Sequence, residues 1–261
     1  MDVPNTLRIA LLGKTGSGKS SLANTILGKV AFKVKHFSVT EASFCQVASG
    51  TVNGRNVTLT DTPGFFSPGA SERELKHEIV RCVPECAPGP HAFIIVLKVE
   101  KFTEQEATVI RQITEYFSAE AFKYSTVVFT HGNQLSEEMT IEAFLRQNKL
   151  LKDLVEKCGG RCHVVDNKYW KNNQQEEYRN NQVHVAKLLS TIENMVMEKR
   201  EDCYTTEMLK KWETEQLPFR LFKYLIALVK IKPMVTILGV AVFVSVIVFF
   251  TAMKKRATEI I

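Results

Sequence analysis

The stretch Gly13-Lys14-Thr15-Gly16-Ser17-Gly18-Lys19-Ser20 follows a short apolar run, RIALL at 8–12, and leads into a helical pattern at 19–27. It fits G-x-x-x-x-G-K-[ST] in the strand–loop–helix context that gives that motif its meaning. Glycines let successive backbone N–H groups curl around phosphate oxygens, and the helix N-terminus adds a dipole that favours an anion. Lys19 is expected to reach the β- and γ-phosphates, and the Ser20 hydroxyl to ligate Mg²⁺. With Ser21, these residues make up the expected phosphate cradle.

Outward from this loop, strand-like and helical runs alternate. QVASG-type patterning over 43–52 and VTLT-type patterning over 56–60 flank Asn53-Gly54, a strong hairpin signal. Asp61-Thr-Pro-Gly64 ends the second run. Asp61 there is expected as a second Mg²⁺ anchor, and Gly64 as a backbone donor toward the γ-phosphate. Ser71 with Glu74, and Thr103 with Glu106, read as capping boxes opening helices to about Cys86 and Phe117. HAFIIVL (91–97) and YSTVVFT (124–130) are continuous apolar runs, typical of strands buried on both faces. A helix is expected over 141–157, stopped by Gly159-Gly160. A short strand at 162–165 and a long helix over 175–200 follow. Strands alternating with helices predict an α/β fold with a mostly parallel sheet of six strands and one antiparallel edge. Thr40, in the loop after the first helix, with nearby Ser38 as the alternative, is expected to add a further Mg²⁺ contact that orders its loop while a triphosphate is bound.

The C-terminal part differs in kind. Residues 201–232 hold a basic-aromatic stretch, FRLFKYLIALVKIK. Residues 234–253 carry no charge, and 254–261 form a short tail opening with Lys254, Lys255 and Arg256. Twenty uncharged residues at about 1.5 Å each span a hydrocarbon core of about 30 Å. The expectation is one transmembrane helix that holds the globular part on the cytosolic face of an intracellular membrane, and nothing in the residues chooses the organelle. The net charge of +6 lies largely in the last fifty or so residues, and no RNA- or DNA-reading motif accompanies it. No nucleic-acid partner is expected. The six cysteines include no C-x-x-C pair. Cys82/Cys86 and Cys158/Cys162, with His91 and His163 nearby, do not match a known zinc-ligand spacing and read as reduced thiols.

GKTGSGKSS (13–21), SVT (38–40), VNGR…DTPGFF (52–66), KFTEQE (101–106), FTHGNQL (129–135) and CGGRCHVVDNK (158–168) come in an order and spacing that resembles the GTPases of immunity-associated proteins, the GIMAP family. The resemblance covers about residues 7–200. It implies a Ras-like P-loop G domain with extra C-terminal helices, binding GTP or GDP with Mg²⁺. It also implies a nucleotide-dependent homo- or heterodimer with related G domains, and an immune-related role as a membrane-tethered switch.

Three positions depart from the family pattern. Thr130-His131-Gly132-Asn133 places an amide where a carboxylate would accept two donors from guanine, so Asn133 is expected to weaken guanine binding and to suit a 2-oxo base such as xanthine. His131 either stacks on the base or is an ordinary surface histidine. In Val165-Asp166-Asn167, Asn167 is expected at the O6 or N7 side of the base, and Asp166 stands where the family has a second Asn. Phe65 stands where a Ras-type enzyme positions water with Gln, and Lys101 stands where the family has Arg. Thr40 and Lys101 are the weak catalytic candidates, and slow GTP hydrolysis is expected. The alternative is a nucleotide-blind membrane scaffold in which Asn133 has weakened guanine binding too far.

Overall fold

The structure, a computed structural model, describes residues 4–34, 45–67, 69–86, 88–136, 138–170, 177–200, 203–205 and 208. The chain divides into two compact units, Met1–Leu209 and Lys210–Ile261. Thr40, the expected transmembrane helix at 234–253 and the tail at 254–261 lie outside the described residues, as does nearly all of 201–232. No helix among the described residues is long and apolar enough to cross a membrane.

Among the described residues six strands form one sheet: β1 (Thr6–Leu12), β2 (Gln46–Val52), β3 (Arg55–Asp61), β4 (Ala92–Lys98), β5 (Ser125–Thr130) and β6 (Cys162–Val164). Their order is β2-β3-β1-β4-β5-β6. All neighbours run parallel except the β2–β3 hairpin. Asn53 and Gly54 turn that hairpin with φ of 50° and 76°, the left-handed pair that a two-residue loop matched to strand twist requires. The expected sheet is thus the observed one, antiparallel edge included.

Six α-helices among the described residues cover the sheet: α1 (Lys19–Leu27), α2 (Glu72–Arg81), α3 (Glu104–Phe117), α4 (Ile141–Arg146), α5 (Lys149–Lys157) and α6 (Asn181–Glu198). Leu22, Ile26, Val185, Leu188 and Ile192 of α1 and α6 pack with Ile9, Leu11, Ile94 and Val96 on one face. Leu75, Ile79, Val109, Ile113, Leu151 and Leu154 pack with Ala10, Phe93, Ile95 and Phe129 on the other. β4 therefore has to be apolar at every position but its last, because both of its faces are covered.

Both capping boxes form, Ser71 with Glu74 and Thr103 with Glu106. Helix boundaries differ from expectation in three places. The helix expected from Ser71 to Cys86 ends at Arg81, and Pro84–Cys86 is a separate 3₁₀ turn. The single helix expected over 141–157 is two, because the Asn148 side chain accepts from the Leu151 N–H and starts a new helix. The helix expected from 175 begins at Asn181, capped by Asn180.

The segment 203–205 docks against the second core. Tyr204 is wholly buried, with its ring edge-on to Phe93, Phe117 and Tyr124. Its hydroxyl donates to the Phe117 carbonyl at 2.6 Å, and its N–H donates to the Pro90 carbonyl. Gly89 has to be glycine here, since a Cβ would stand 2.0 Å from the Tyr204 carbonyl oxygen. Truncating Tyr204 to Ala removes a fully buried aromatic and is expected to cost about 3–5 kcal/mol in urea unfolding. A loss below about 1 kcal/mol would show that the segment contributes no packing.

Candidate functional site

The site lies at the C-terminal ends of the parallel strands, where an open α/β sheet leaves a crevice for ligands. β1 delivers the chain into the loop at Gly13. A Cβ on Gly13 would stand 2.5 Å from the Val96 carbonyl of β4, so the loop can leave the sheet this closely only as glycine. Gly18 takes the left-handed conformation, φ 91°, as the N-cap of α1. Its Cα faces Thr130 and the Asn167 side-chain nitrogen, each 3.2 Å from where a Cβ would be.

Lys19 is buried, and its Nζ donates to the carbonyls of Gly13 (3.0 Å) and Lys14 (3.1 Å). Burial pushes its ammonium down to about 8, against a smaller opposing pull from Asp61. Asp61 ends β3 beside Leu11 of β1 and is itself buried. Burial raises its pKa, while Lys19 and a hydrogen bond from Ser20 oppose the rise. The Ser20 hydroxyl donates to Asp61 Oδ2 at 2.5 Å. Asp61 Oδ1 is buried and has no hydrogen-bond partner.

An enclosed carboxylate oxygen left without a donor, beside a serine hydroxyl and at a glycine-rich loop, fits a hard divalent cation. Ser20 and Asp61 are the described residues that would hold Mg²⁺. The third ligand expected from sequence, Thr40, lies outside the described residues.

The segment after Asp61 is zipped onto the loop. Phe65 donates to the Gly13 carbonyl and accepts from the Thr15 N–H at 2.8 Å, so the Thr15 amide is spent on protein. Gly64 lies against Thr15, with a Cβ position 2.5 Å from Thr15 Oγ1. Gly64 thus lies against the phosphate loop. The Phe65 ring is buried against Tyr116, 5.7 Å between centroids, and cannot orient water. Phe66 follows with φ 60° and is exposed.

Lys14 shows what the sequence reading missed. It pairs with Glu100 at 3.0 Å and also with Glu106. Burial opposes its charge, but the two carboxylates outweigh burial and hold its pKa above the usual value. The capping box accounts for Glu106 turning back to Thr103. Its second partner on the phosphate loop has no signal in local sequence, because Lys14 and Glu106 meet only once β1 and β4 are side by side. Lys101, by contrast, is exposed just ahead of the Thr103 cap.

On the other flank, two loops meet the phosphate loop. Thr130 donates to the Ser17 carbonyl at 2.8 Å. His131 is left-handed, φ 59°, and half-buried, with its Nδ1 3.0 Å from the Thr130 hydroxyl. Burial lowers its pKa first, then Lys98, so it holds a neutral ring more readily than an ordinary histidine. Gly132 presses on the Trp170 indole, with a Cβ position 2.4 Å from it. The Asn133 side chain is exposed. The Thr25 hydroxyl donates to Asn167 Oδ1 at 3.0 Å, which leaves the Asn167 amide N–H groups as donors. Asp166 is buried, and its carboxylate accepts from the N–H groups of Asn133 (3.3 Å), Lys168 (2.8 Å) and Tyr169 (2.5 Å). It ties the two loops together.

The structure thus brings the residues 13–21, Asp61, Gly64, His131, Asn133 and Asn167 together through these contacts, whereas Lys101 is exposed and takes part in none of them. The six cysteines are free thiols.

The sequence model of the AIG1 family matches residues 7–222. The chain belongs to the AIG1 family. Over 190 residues this AIG1-family chain is 35% identical to human GTPase IMAP family member 8, covering 73% of its own length and 28% of that protein's. It is 31% identical to Arabidopsis thaliana immune-associated nucleotide-binding protein 9 over 216 residues, covering 81% of itself and 61% of the relative. The chain therefore spans between about a quarter and three fifths of the length of these two relatives. Among solved structures, Arabidopsis thaliana Toc33 shares the fold: TM-score 0.60 at 21% identity for a dimerisation-deficient mutant, over 76% of this chain and 86% of that one. Toc33 in complex with GDP and Mg²⁺ gives 0.59 at 23%, over 75% and 86%. The AIG1-family chain is thus a G domain by fold.

Lys19 makes the site pH-sensitive with a definite sign. In the free protein the folded chain releases the Lys19 proton near pH 8, whereas the unfolded chain keeps it to about 10.5. The unfolded state binds more protons between these values, so the ligand-free protein gains stability as pH rises through that window. A bound phosphate reverses the preference and recharges Lys19. Binding of a nucleoside diphosphate is expected to take up a proton at pH 9 and to weaken as pH rises above 8. Calorimetry in two buffers of different ionisation enthalpy reads the uptake, and an identical heat in both would contradict it.

Proposed function

We propose that this chain is a GTP- and GDP-binding regulatory switch that uses Mg²⁺, hydrolyses GTP slowly, self-associates when triphosphate is bound and is held on the cytosolic face of an intracellular membrane by residues 234–253. The observation that carries the reading is the buried pair Lys19 and Asp61, with the half-buried Ser20 hydrogen-bonded to Asp61. A nearly enclosed lysine and a carboxylate with an unpartnered oxygen are costly to keep, and both costs are relieved by a phosphate and a divalent cation.

Mg²⁺, once bound, would neutralise phosphate charge. Lys19 neutralises phosphate oxygens from within the loop, and Ser20 and Asp61 hold the cation's side of the site. Slow hydrolysis follows from Phe65, whose ring is locked in the core where a water-positioning side chain would be needed. The exposed Lys101 offers a point charge to a partner's site without the fork of an arginine. Self-association is supported by the fold shared with Toc33, whose dimerisation is said to be important for its GTPase activity. The immune-related role is supported by the names of the curated relatives, and the membrane anchor by the uncharged run alone.

Thermal unfolding of the full chain with Mg²⁺ and GTP, GDP or ATP tests the reading. A nucleotide at about a hundred times its Kd adds roughly 2.7 kcal/mol of native-state stability. That corresponds to a rise of roughly 5–10 °C for a domain of this size. GTP and GDP are expected to give it and ATP not. Lys19→Ala is expected to abolish it, and Asp61→Asn to remove its dependence on Mg²⁺. An unfolding midpoint unmoved by all three nucleotides would overturn the proposal in favour of a nucleotide-blind scaffold.

A further inference from the structure

We infer that the base pocket discriminates at C2 of the purine and takes a carbonyl there in preference to an amine, so that xanthine nucleotides bind more tightly than guanine nucleotides. The inference rests on the proposal that a nucleotide occupies the loop at 13–20.

The position of the base follows from the two ends of the site. Asp61, on β3, marks the cation and terminal-phosphate end. The sheet order β3-β1-β4-β5-β6 puts the loops after β5 and β6 on the opposite side of the phosphate loop. Thr130 and Asn167 touch Gly18 at the start of α1, so a purine whose phosphates fill the loop lies over residues 130–133 and 165–167.

The polar groups waiting there are few. Asn167 offers amide N–H groups, since its oxygen accepts from Thr25. Those donors suit the carbonyl at C6 that guanine and xanthine share. Asn133 projects an exposed amide from a loop whose main chain is fixed, its own N–H being held by Asp166.

An amide presents one acceptor and two donors on its two arms. N1–H of either purine donates to the Asn133 oxygen. The neighbouring group then faces the Asn133 nitrogen. Guanine puts a donor there, so donor meets donor and one goes unpaired. Xanthine puts a carbonyl there, and the pair closes. A carboxylate would instead take both of guanine's donors.

Among the described residues, no other acid stands in for the absent carboxylate. Two carboxylates are near enough to act on His131, Asp166 and Glu100. Asp166 is buried and its carboxylate is oriented by main-chain donors, the N–H groups of Lys168 and Tyr169 on Oδ1 and that of Asn133 on Oδ2. Glu100 is paired with Lys14. Asp166, the substitution the sequence reading left unassigned, thus fixes the frame in which Asn133 reads the base.

The test is titration calorimetry of the full chain with Mg²⁺ and XDP, GDP or IDP, for wild type and Asn133→Asp. One unpaired donor is worth roughly a ten- to hundredfold difference in affinity. Wild type is expected to favour XDP over GDP by that factor, and Asn133→Asp to reverse the order. IDP carries only hydrogen at C2 and is expected to bind both proteins, which certifies that the variant is folded. Wild type binding GDP more tightly than XDP, while either still binds, would overturn this inference and leave the switch proposal standing. No binding of any of the three to either protein would overturn the switch proposal, and this inference with it.

Discussion

The nucleotide face depends on one buried electrostatic arrangement, Lys19 and Asp61 enclosed within the same crevice with only Ser20 between Asp61 and the start of α1. Neither charge is well served by protein alone. Lys19 leans on two main-chain carbonyls and loses basicity to burial. Asp61 has one oxygen on Ser20 and the other on nothing. Holding such groups in place takes a rigid frame, and the frame is the sheet. β1 and β3 are parallel neighbours with Leu11 opposite Asp61, so the strand that launches the loop and the strand that delivers the carboxylate are fixed in register. The cost of the arrangement is repaid only by an anion and a cation arriving together.

Two clamps hold the loop itself. On one flank Lys14 reaches Glu100 and Glu106 at the start of α3, and Phe65 zips to Gly13 and Thr15. On the other, Thr130 bonds Ser17, and Asp166 and Trp170 buttress the 130–133 loop from below. On the proposed reading the first flank faces the terminal phosphate and the second the base. Phe66, exposed and left-handed, lies immediately beyond the zipped segment and stores backbone strain there.

Much of this was legible from sequence for a definite reason. The phosphate loop, the Asn53-Gly54 hairpin and the two capping boxes are short motifs whose geometry is set by neighbouring residues, so each could be read from a few letters. The buried strands were legible because β4 and β5 are covered on both faces and carry no alternation. What escaped was nonlocal. Asp166 looked like an unexplained substitution because its three partners are main-chain N–H groups, two of them just downstream and one on the 130–133 loop. The Lys14 pairings cross from β1 to the segment after β4. The break between α4 and α5 turns on Asn148, which caps a new helix inside the run expected as one. Tyr204 gave no signal, since a lone tyrosine in a polar stretch does not reveal the aromatic pocket that Phe93, Phe117 and Tyr124 build for it.

On the proposed reading one nucleotide bridges the phosphate loop and both base-side loops at once. Hydrogen–deuterium exchange of the full chain, with and without GDP or XDP and Mg²⁺, reads that bridge peptide by peptide. Slowed exchange is predicted jointly in peptides covering 13–21, 129–135 and 162–170, with the same concentration dependence in all three. Exchange unchanged in 13–21, or protection confined to a surface away from these loops, would contradict it.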